Sequence, residues 1–463
     1  MDSPALRVTS PYDGSPVGEI PYTSPAEIRL ALDEADALFR NRPRWLPADD
    51  RVAILRAAAA FMLERRDSLI ETAIREGGKP YRDSAVEVDR AIDGMRNCAE
   101  LIRSEGGHVV PMGTTAASRG RIAFTQREPI GPVLALSAFN HPVNLIVHQI
   151  GPAIAAGCPV LVKPARDTPL SCLNVVRALR DAGLPEAWCR MLVPASHDDI
   201  DMLIRDGRIR FLSFIGSAEV GWNLRARLAP GMRCALEHGG IAPVLVDRGA
   251  DLDQAAAAVA KGGFYHAGQV CVSVQQVFVH REVADGFLER LAVMTSGLKT
   301  GDPLERDTDV GPLIKTSEAD RVEAWIAEAR DQGATVLAGA TRLSPSLIAP
   351  TILRDAPGHA QVSSKEIFGP VVSVQVYDDL DDACRRANVG GYAFQAGVFT
   401  NSIDIATRAY AGLNASAVMI NDHSAFRVDW MPFAGLNQSG LGVGGIPHTY
   451  REMTIEKMMV LRG

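Results

Sequence analysis

The chain has 463 residues, 47% of them hydrophobic and 22% charged, which is typical of a soluble globular protein and excludes disordered, collagen-like and membrane classes. Its formal net charge of -7 argues against a nucleic-acid partner, which would require clustered Lys and Arg. A chain of this length exceeds the size at which a single hydrophobic core stops growing, so two or three structural units are expected.

No segment of the sequence indicates secretion, a membrane or a metal. The start, MDSPALRVTSPYDG, has no basic region followed by an apolar one, and the longest apolar region, 129–162, is interrupted by prolines, glycines and polar residues. The seven cysteines include no CxxC pair, and the histidines include no HExxH. We therefore expect a cytoplasmic protein with no membrane partner and no metal site.

The predicted elements begin with helices. Apolar residues recur at helical spacing over 47–76, and the glycines at 77 and 78 predict the end of that amphipathic helix. A second helix is predicted over 83–105. Residues 113–129 then alternate in polarity, which predicts an exposed, protruding hairpin.

From residue 133 the pattern changes to short apolar strands separated by helices. The strands VLALSAF, PVLVKPA and CRMLVPA alternate with the helical stretches IGPAIAAG and SCLNVVRALRDAG, and the pattern continues through RFLSFIG. Such alternation predicts βαβ units and a parallel sheet. After residue 240 it restarts, with helices over 255–267 and 283–295 and the strands VFVH, VSVQVY and AGVFT, which indicates a second α/β domain.

Two glycine motifs are candidates for a dinucleotide site. The literal GxGxxG at 440–445 has only 18 residues after it, too few for the helix and the acidic residue that a dinucleotide fingerprint requires, so we interpret it as a turn leading into a terminal strand. The segment 216–221 is better placed, because a predicted strand precedes it and a helix follows it, and helix N-termini attract phosphate. Lys163 ends another strand, where open α/β sheets bind ligands.

The stretch HAGQVCVSV, 266–274, raises the question of whether Cys271 is a core residue or a nucleophile. A free cysteine is usually a small buried hydrophobe. A catalytic role requires a base, an oxyanion donor and an electron acceptor elsewhere in the chain.

Several blocks, in the right order, resemble the aldehyde dehydrogenase superfamily over nearly the whole chain, with the lactaldehyde and non-phosphorylating glyceraldehyde-3-phosphate dehydrogenases as the most similar branch. The blocks are PIGPVLALSAFNHP (129–142), AGCPVLVKPARDTPLS (156–171), FIGSAEVG (214–221), LEHGG (236–240), AGQVCVSV (267–274), GPLI (311–314), KEIFGPV (365–371) and MPFAGLNQSGLG (431–442).

The resemblance implies an α/β fold with a Rossmann-type parallel-sheet cofactor domain, an α/β catalytic domain and a small β oligomerisation element. It implies Cys271 as nucleophile, Glu237 as general base and Asn140 as oxyanion donor. The reaction would be thiolate attack on an aldehyde, hydride transfer to nicotinamide, and hydrolysis of the thioester by water that Glu237 activates. His238 replaces the usual leucine beside the base, and from sequence it could shift the pKa of Glu237 in either direction.

The resemblance also assigns the cofactor and substrate residues. Arg166 departs from the family, because many NAD-using members carry a glutamate there; an arginine could pair with a 2′-phosphate, so either NAD or NADP is expected, with tolerance of NADP. The implied cofactor residues are Ser137, Ala138, Phe139, Lys163, Arg166, Gly216, Ser217, Gly221, Glu366 and Phe368, and the substrate candidates are His141, Arg427 and Arg90.

The substrate expected from this branch is a small hydroxylated or acidic aldehyde. A semialdehyde or an aromatic aldehyde stays open, as do acyl transfer to coenzyme A, which the presence of Glu237 disfavours, and a non-catalytic protein on the same fold. The predicted domains are 1–113 with 130–239 for the dinucleotide, 240–437 for catalysis, and 114–129 with 445–463 for assembly into a homodimer or homotetramer.

Overall fold

The computed structural model describes residues 5–463; residues 1–4, which begin the first predicted domain, lie outside the described part. Fifteen α-helices and twenty strands occur in the described part. The helices are α1 (Pro25–Arg40), α2 (Ala48–Glu64), α3 (Arg66–Gly77), α4 (Tyr81–Ser104), α5 (Asn144–Ala156), α6 (Pro169–Asp181), α7 (His197–Ile204), α8 (Ala218–Arg225), α9 (Leu252–Phe264), α10 (Ala284–Ser296), α11 (Thr316–Asp331), α12 (Gln361–Ser364), α13 (Leu380–Ala387), α14 (Ile403–Gly412) and α15 (Ile446–Glu452).

The strands form three larger sheets and two small pairs. They are β1 (Ala5–Thr9), β2 (Pro16–Pro21), β3 (Val109–Val110), β4 (Arg121–Pro129), β5 (Val133–Leu136), β6 (Val160–Lys163), β7 (Cys189–Met191), β8 (Phe211–Ile215), β9 (Arg233–Glu237), β10 (Pro243–Val246), β11 (Gln276–His280), β12 (Thr335–Ala338), β13 (Thr351–Arg354), β14 (Val371–Tyr377), β15 (Tyr392–Ala393), β16 (Gln395–Phe399), β17 (Ala417–Ile420), β18 (Leu436–Asn437), β19 (Gly440–Leu441) and β20 (Thr454–Arg462).

The first sheet has the order β19-β9-β8-β5-β6-β7, and all its strands except β19 run parallel. The chain goes outward from β5 to β6 and β7, then returns to the other side of β5 for β8 and β9. The strand order therefore reverses between β5 and β8, which is where doubly wound sheets bind ligands. One face packs on α2 to α6 and the other on α1 and α7, so both faces are covered by apolar side chains.

The second sheet has the order β12-β13-β14-β11-β10-β16-β17, with β12 antiparallel and the others parallel. A large core on one side of it includes side chains of α9, α10 and α11, and a smaller core on the other includes those of α13 and α14. The predicted fold class, a Rossmann-type sheet followed by a second α/β unit, is confirmed.

The long helix predicted over 47–76 is wrong in one respect, because it is two helices, α2 and α3. Arg65, between them, has φ -102° and ψ 17°, outside the helical range. No Gly or Pro marks the break; α2 and α3 both pack on α4 and α6, and this tertiary packing sets their directions. The predicted end is correct, since α3 stops at Gly77 and Gly78 is its left-handed C-cap.

The exposed hairpin predicted over 113–129 exists with different bounds, because β4 pairs antiparallel with β3, which precedes the predicted range. Residues 116–118 form a short 3-10 turn, and β4 is one strand whose main partner is the distant β20, over nine residue pairs. Alternation in sequence predicts a strand but does not identify its partner. The third sheet thus has the order β20-β4-β3.

The expected turn into a terminal strand at 440–445 is incomplete, because β19 and α15 also lie in this part of the chain. Leu441 and Gly440 pair with Leu236 and Glu237, and α15 then packs its Ile446 into the core of the first sheet. No helix in the described 5–463 range is long and apolar enough to cross a membrane.

Candidate active site

Cys271 lies in the loop that joins α9 to β11. The helix predicted to extend to residue 267 ends at Phe264, since His266 and Ala267 have left-handed φ values of 49° and 54° that a continuing helix does not allow. The backbone N–H of His266 donates to the carboxylate of Asp83 at 3.2 Å, which fixes this turn to α4. The turn redirects the chain so that Cys271 becomes a partly buried side chain against a small apolar cluster.

Gln269 connects the Cys271 loop to two other parts of the chain. Its side-chain amide donates to the carbonyl of Pro312, and its Oε1 accepts from the N–H of Ile314 at 2.9 Å. Its own carbonyl accepts from Nδ2 of the buried Asn140 at 2.9 Å. Asn140, in the loop after β5, is therefore bonded to the backbone of Gln269, which precedes Cys271 by two residues.

The loop that carries Asn140 is also held from the other side. Buried Glu87 on α4 accepts the N–H groups of Val143 and Asn144 at 2.8 and 3.0 Å, and its second oxygen pairs with buried Lys79. A carboxylate is favourable at this point because these N–H groups begin α5. The sequence interpretation missed both Glu87, on α4, and Lys79, in the connection between α3 and α4.

Glu237 is the last residue of β9, and its carbonyl accepts from the N–H of Gly216 at 3.1 Å. Its carboxylate lies against Gly444, where an ideally placed Cβ would be 2.3 Å from Oε1. Residue 444 is paired through its backbone with Phe433, whose ring contacts the same apolar cluster as Cys271. Gly444, within the glycine motif at 440–445, thus makes room for the Glu237 carboxylate.

Three ionisable groups influence one another here. Burial raises the pKa of the Cys271 thiol to about 12, with the positive charge of Arg427 opposing the rise and Glu237 adding to it. Burial also raises the pKa of Glu237, again opposed by Arg427. Burial lowers the pKa of the Arg427 guanidinium, opposed first by Glu237. Arg427 is therefore the cation that acts on both Cys271 and Glu237.

His238 points away from the carboxylate of its neighbour. Its Nδ1 is 2.9 Å from the carbonyl of Gln438, and its ring lies edge-on to Phe214 and Trp222 at 5.9 and 5.5 Å between ring centroids. The groups that shift the pKa of Glu237 do not include it.

A cavity of about 740 Å³ is lined by all three candidate substrate residues, Arg90, His141 and Arg427. Burial, and then the charge of Lys79, lower the pKa of His141, so its ring is neutral. Arg90 donates two hydrogen bonds to the buried carboxylate of Asp429, at 2.7 and 3.1 Å. Its charge is therefore already compensated, by an aspartate that the sequence interpretation did not single out.

Arg427 has a different environment. Its guanidinium carbon lies 3.5 Å from the ring centroid of Phe433, and its Nε is buried without an acceptor. Within residues 5–463, no carboxylate lies within ion-pair distance of it. The wall of the cavity thus carries a cation with which no carboxylate of the described residues forms an ion pair.

The predicted cofactor residues gather at the carboxyl ends of the central strands of the first sheet. The segment 137–139 follows β5, with the N–H of Ser137 bonded to the carbonyl of Lys163 at the end of β6 and its buried hydroxyl unpaired. Ser217 precedes α8, and its exposed hydroxyl makes no capping bond. Gly221, one turn into α8, lies directly against the ring of His238. An unpaired hydroxyl, a helix start and a lysine fit a dinucleotide diphosphate.

Glu366 and Phe368 reach the same region from the second sheet's side. The Glu366 carboxylate lies over Gly239, where a Cβ would be 1.6 Å from Oε1. Burial raises the pKa of Glu366 to about 8, opposed by Arg321, and its Oε1 is buried without a donor. Phe368 has a φ of 48° and packs edge-on against Phe139, with ring centroids 5.8 Å apart. The orphan carboxylate oxygen fits a ribose hydroxyl as donor.

Arg166 is exposed but held in place. Its Nη2 donates to the hydroxyl of Tyr22 at 2.8 Å, and its guanidinium carbon lies 5.6 Å from the Tyr22 ring centroid. The pKa of Lys163 is lowered by burial and then by the charge of Arg166. Two cations therefore lie close together at the carboxyl end of β6.

The whole arrangement defines an aldehyde dehydrogenase, and comparison with known proteins agrees. Residues 1–459 match the aldehyde dehydrogenase family, and the chain belongs to it. A 3-sulfolactaldehyde dehydrogenase of Priestia megaterium is 34% identical over 98% of this chain and 94% of its own length. The protein is thus an NAD(P)-dependent aldehyde dehydrogenase.

Two solved structures are similar over the full chain. Aldehyde dehydrogenase 21 of Physcomitrella patens, in complex with the reaction product succinate, has a TM-score of 0.96 at 35% identity and is covered over 95% of its length. The glyceraldehyde-3-phosphate dehydrogenase GapN of Methanocaldococcus jannaschii, complexed with NADP, has a TM-score of 0.94 at 32% identity and is covered over 100%.

Proposed function

We propose that this enzyme oxidises a small aldehyde that carries an anionic group, and that it releases the free carboxylic acid. The observation that carries the proposal is Arg427, a cation in the cavity wall with no carboxylate of the described residues within ion-pair distance. A buried charge is costly unless it is paired, so an anionic substrate would supply the missing partner. Sulfolactaldehyde bears a sulfonate, glyceraldehyde-3-phosphate a phosphate and succinate a second carboxylate, so the named relatives support an anionic substrate.

In this proposal Cys271 is the nucleophile. The thiol releases its proton to solvent, and the thiolate forms a C–S bond with the aldehyde carbon while the electron pair of the C=O bond moves to the oxygen. The resulting oxyanion accepts hydrogen bonds from the Asn140 amide and the Cys271 backbone N–H. The hydrogen bond from Asn140 to the Gln269 carbonyl uses one amide proton and leaves the other available. A single donor of this type contributes about 3 to 4 kcal/mol to transition-state stabilisation.

Glu237 acts in the second half of the reaction. NAD(P) supplies the two-electron oxidant when bound, and the residues proposed to hold it are those at the ends of β5, β6 and β8 together with Glu366 and Phe368. The acyl group then remains on Cys271 as a thioester. Glu237, whose pKa burial raises, accepts a proton from the attacking water, and the thioester is hydrolysed.

The cationic pair of Lys163 and Arg166 supports the use of NADP. A guanidinium can bind a 2′-phosphate through two parallel hydrogen bonds, and it cannot accept one from a 2′-hydroxyl. The aromatic support of Tyr22 holds Arg166 in position for such a contact.

The third sheet supports assembly into a homodimer or homotetramer. Ile122 and Phe124 on β4 are paired with Leu461 and Met459 on β20, so these four side chains share one face, and they are 65%, 37%, 50% and 52% exposed. We propose that a second copy of the chain covers this apolar face.

The test of the enzymatic proposal is a substrate panel. Initial rates of NADH and NADPH formation are measured with small carboxylated, phosphorylated, hydroxylated, aliphatic and aromatic aldehydes, and with Cys271→Ala as control. We expect activity with the anionic aldehydes, no activity in the control, and no acyl transfer when coenzyme A is added. A preference for an aromatic or an uncharged aldehyde would refute the proposed substrate class.

A further inference from the structure

His148 on α5 lies between the charged side chains of Asp429 and Arg427. Its Nε2 is 2.7 Å from Oδ1 of Asp429, and its Nδ1 is 3.3 Å from Nη2 of Arg427. The His148 side chain is only 2% exposed and does not line the cavity. Its contacts with the two charged groups are therefore made inside the protein, behind the cavity wall.

The two neighbours determine which ring nitrogen carries the proton. An aspartate carboxylate offers only acceptors, and a guanidinium offers only donors. A neutral His148 can satisfy both neighbours in one tautomer alone, with Nε2–H donating to Asp429 and Nδ1 accepting from Arg427.

Asp429 is fixed independently of His148. It accepts two hydrogen bonds from Arg90 and one from Nδ2 of Asn144 at 3.1 Å. Burial alone would raise the pKa of Asp429, but the hydrogen bonds from His148 and Arg90 and the positive charge of Arg90 hold it below its usual range. Burial lowers the pKa of His148 to about 4, opposed by Asp429 and assisted by Arg427 and Arg90. The ring is thus neutral while the carboxylate is ionised.

We propose that His148, with its tautomer fixed by Asp429, is a positioning residue that aims the guanidinium of Arg427 at the anionic group of the substrate. Phe433 holds the face of the guanidinium by stacking, and His148 holds its edge through Nη2, which leaves the remaining N–H groups for the ligand. This inference depends on the proposed anionic substrate. It explains the orientation of the Arg427 guanidinium by the contact with His148.

The proposal explains why the cation does not turn toward the reacting groups. The negative charge of Glu237 is the largest influence that raises the pKa of Arg427 against the effect of burial. Glu237 and Arg427 nevertheless form no ion pair. The fixed acceptor at His148 Nδ1 favours the orientation of Arg427 in which Glu237 stays free to serve as base.

The experiment is a double-mutant cycle with a matched pair of aldehydes. Succinic semialdehyde and butanal share a four-carbon chain and differ in the terminal carboxylate. The measured quantity is the ratio of kcat/KM for the two, in the wild type, His148→Leu, Arg427→Met and the double variant, with separate KM and kcat values. His148→Gln is the conservative control, because its amide can donate to Asp429 and accept from Arg427 at once.

We expect His148→Leu to lower the ratio by about 10-fold, mainly through the KM of succinic semialdehyde, since it removes a hydrogen bond to a charged group. His148→Gln should recover most of the loss. In the Arg427→Met background, His148→Leu should lower the ratio no further, because His148 acts only through Arg427. His148→Phe replaces the leucine variant if the latter does not fold.

Two outcomes overturn the inference. One is an unchanged ratio in His148→Leu when Arg427→Met lowers it, and the other is an equal loss from His148→Leu with and without Arg427. If Arg427→Met itself leaves the ratio unchanged, Arg427 does not bind the anionic group and the inference is overturned as well. A wild-type ratio that does not favour succinic semialdehyde refutes the anionic substrate class itself, so the two failures are distinguishable.

Discussion

The carboxylate of Glu237 and the backbone of Gly444 are in direct contact, and a Cβ at residue 444 would lie 2.3 Å from Glu237 Oε1. These residues are distant in sequence, and β19 brings them together by pairing with the end of β9. The position of the proposed base, Glu237, therefore depends on Gly444. This glycine belongs to the GxGxxG motif at 440–445, a pattern that is typical of dinucleotide sites.

Gly444→Ala should slow the release of product without preventing the first half of the reaction. The added methyl displaces the Glu237 carboxylate, so we expect steady-state kcat to fall by at least about 10-fold. The pre-steady-state burst of NAD(P)H should persist, because thiolate attack does not use Glu237. Gly207→Ala, at an exposed position with no atom within 4 Å of the added Cβ, is the matched control. Loss of the burst together with turnover would contradict this assignment of Glu237.

The pH dependence of Cys271 alkylation should reflect the raised pKa of its thiol. Because burial raises the pKa to about 12, the thiolate fraction in the unliganded enzyme increases about 10-fold for each pH unit between pH 7 and pH 9. The rate of inactivation by iodoacetamide should follow that increase without a plateau. Arg427→Met should lower the rate at every pH, since its positive charge opposes the rise in pKa. A plateau below pH 8 would show that the thiol is already activated without cofactor.

Arg166→Glu should move cofactor preference toward NAD. The substitution removes the cation proposed to bind the 2′-phosphate and introduces an acceptor for a 2′-hydroxyl, so kcat/KM with NADP should fall by about 10-fold or more and that with NAD should fall less or rise. Arg177→Glu, an equal charge change at an exposed position of α6, is the control. Equal effects of the two variants on NADP would indicate general electrostatics in place of a specific contact.

Ile122→Lys should weaken the proposed self-association. A lysine in the apolar face shared by β4 and β20 would have to be buried on assembly, which is unfavourable without a partner charge. Size-exclusion chromatography with light scattering should show a shift to smaller species at micromolar concentration. Ile403→Lys, on helix α14 and 79% exposed, makes the same change elsewhere. A wild-type protein that is monomeric at this concentration would refute the assembly itself.

Much of the secondary structure was predictable because the patterns are local. The strands after residue 133 are short apolar runs, and buried parallel strands need no other signal. The break at Arg65 and the left-handed turn at His266 were not predictable in this way, since neither contains Gly or Pro at the residue concerned. The break at Arg65 depends on the packing of α2 and α3 against α4 and α6. The turn at His266 depends on its hydrogen bond to Asp83 on α4.

The sequence by itself determined the family, the α/β fold class and the chemical groups available to the reaction, because these depend on residue types in a fixed order along the chain. Only the tertiary structure decided which charges remain uncompensated. Arg90 and Arg427 are both arginines near apolar stretches, yet Arg90 is paired with Asp429, whereas no carboxylate within residues 5–463 pairs with Arg427. Likewise, His238 is adjacent to Glu237 in sequence and points away from it in space, whereas Gly444 contacts it. The physical reason is that charge pairing and close contact act over a few ångströms in space, and sequence distance does not determine them.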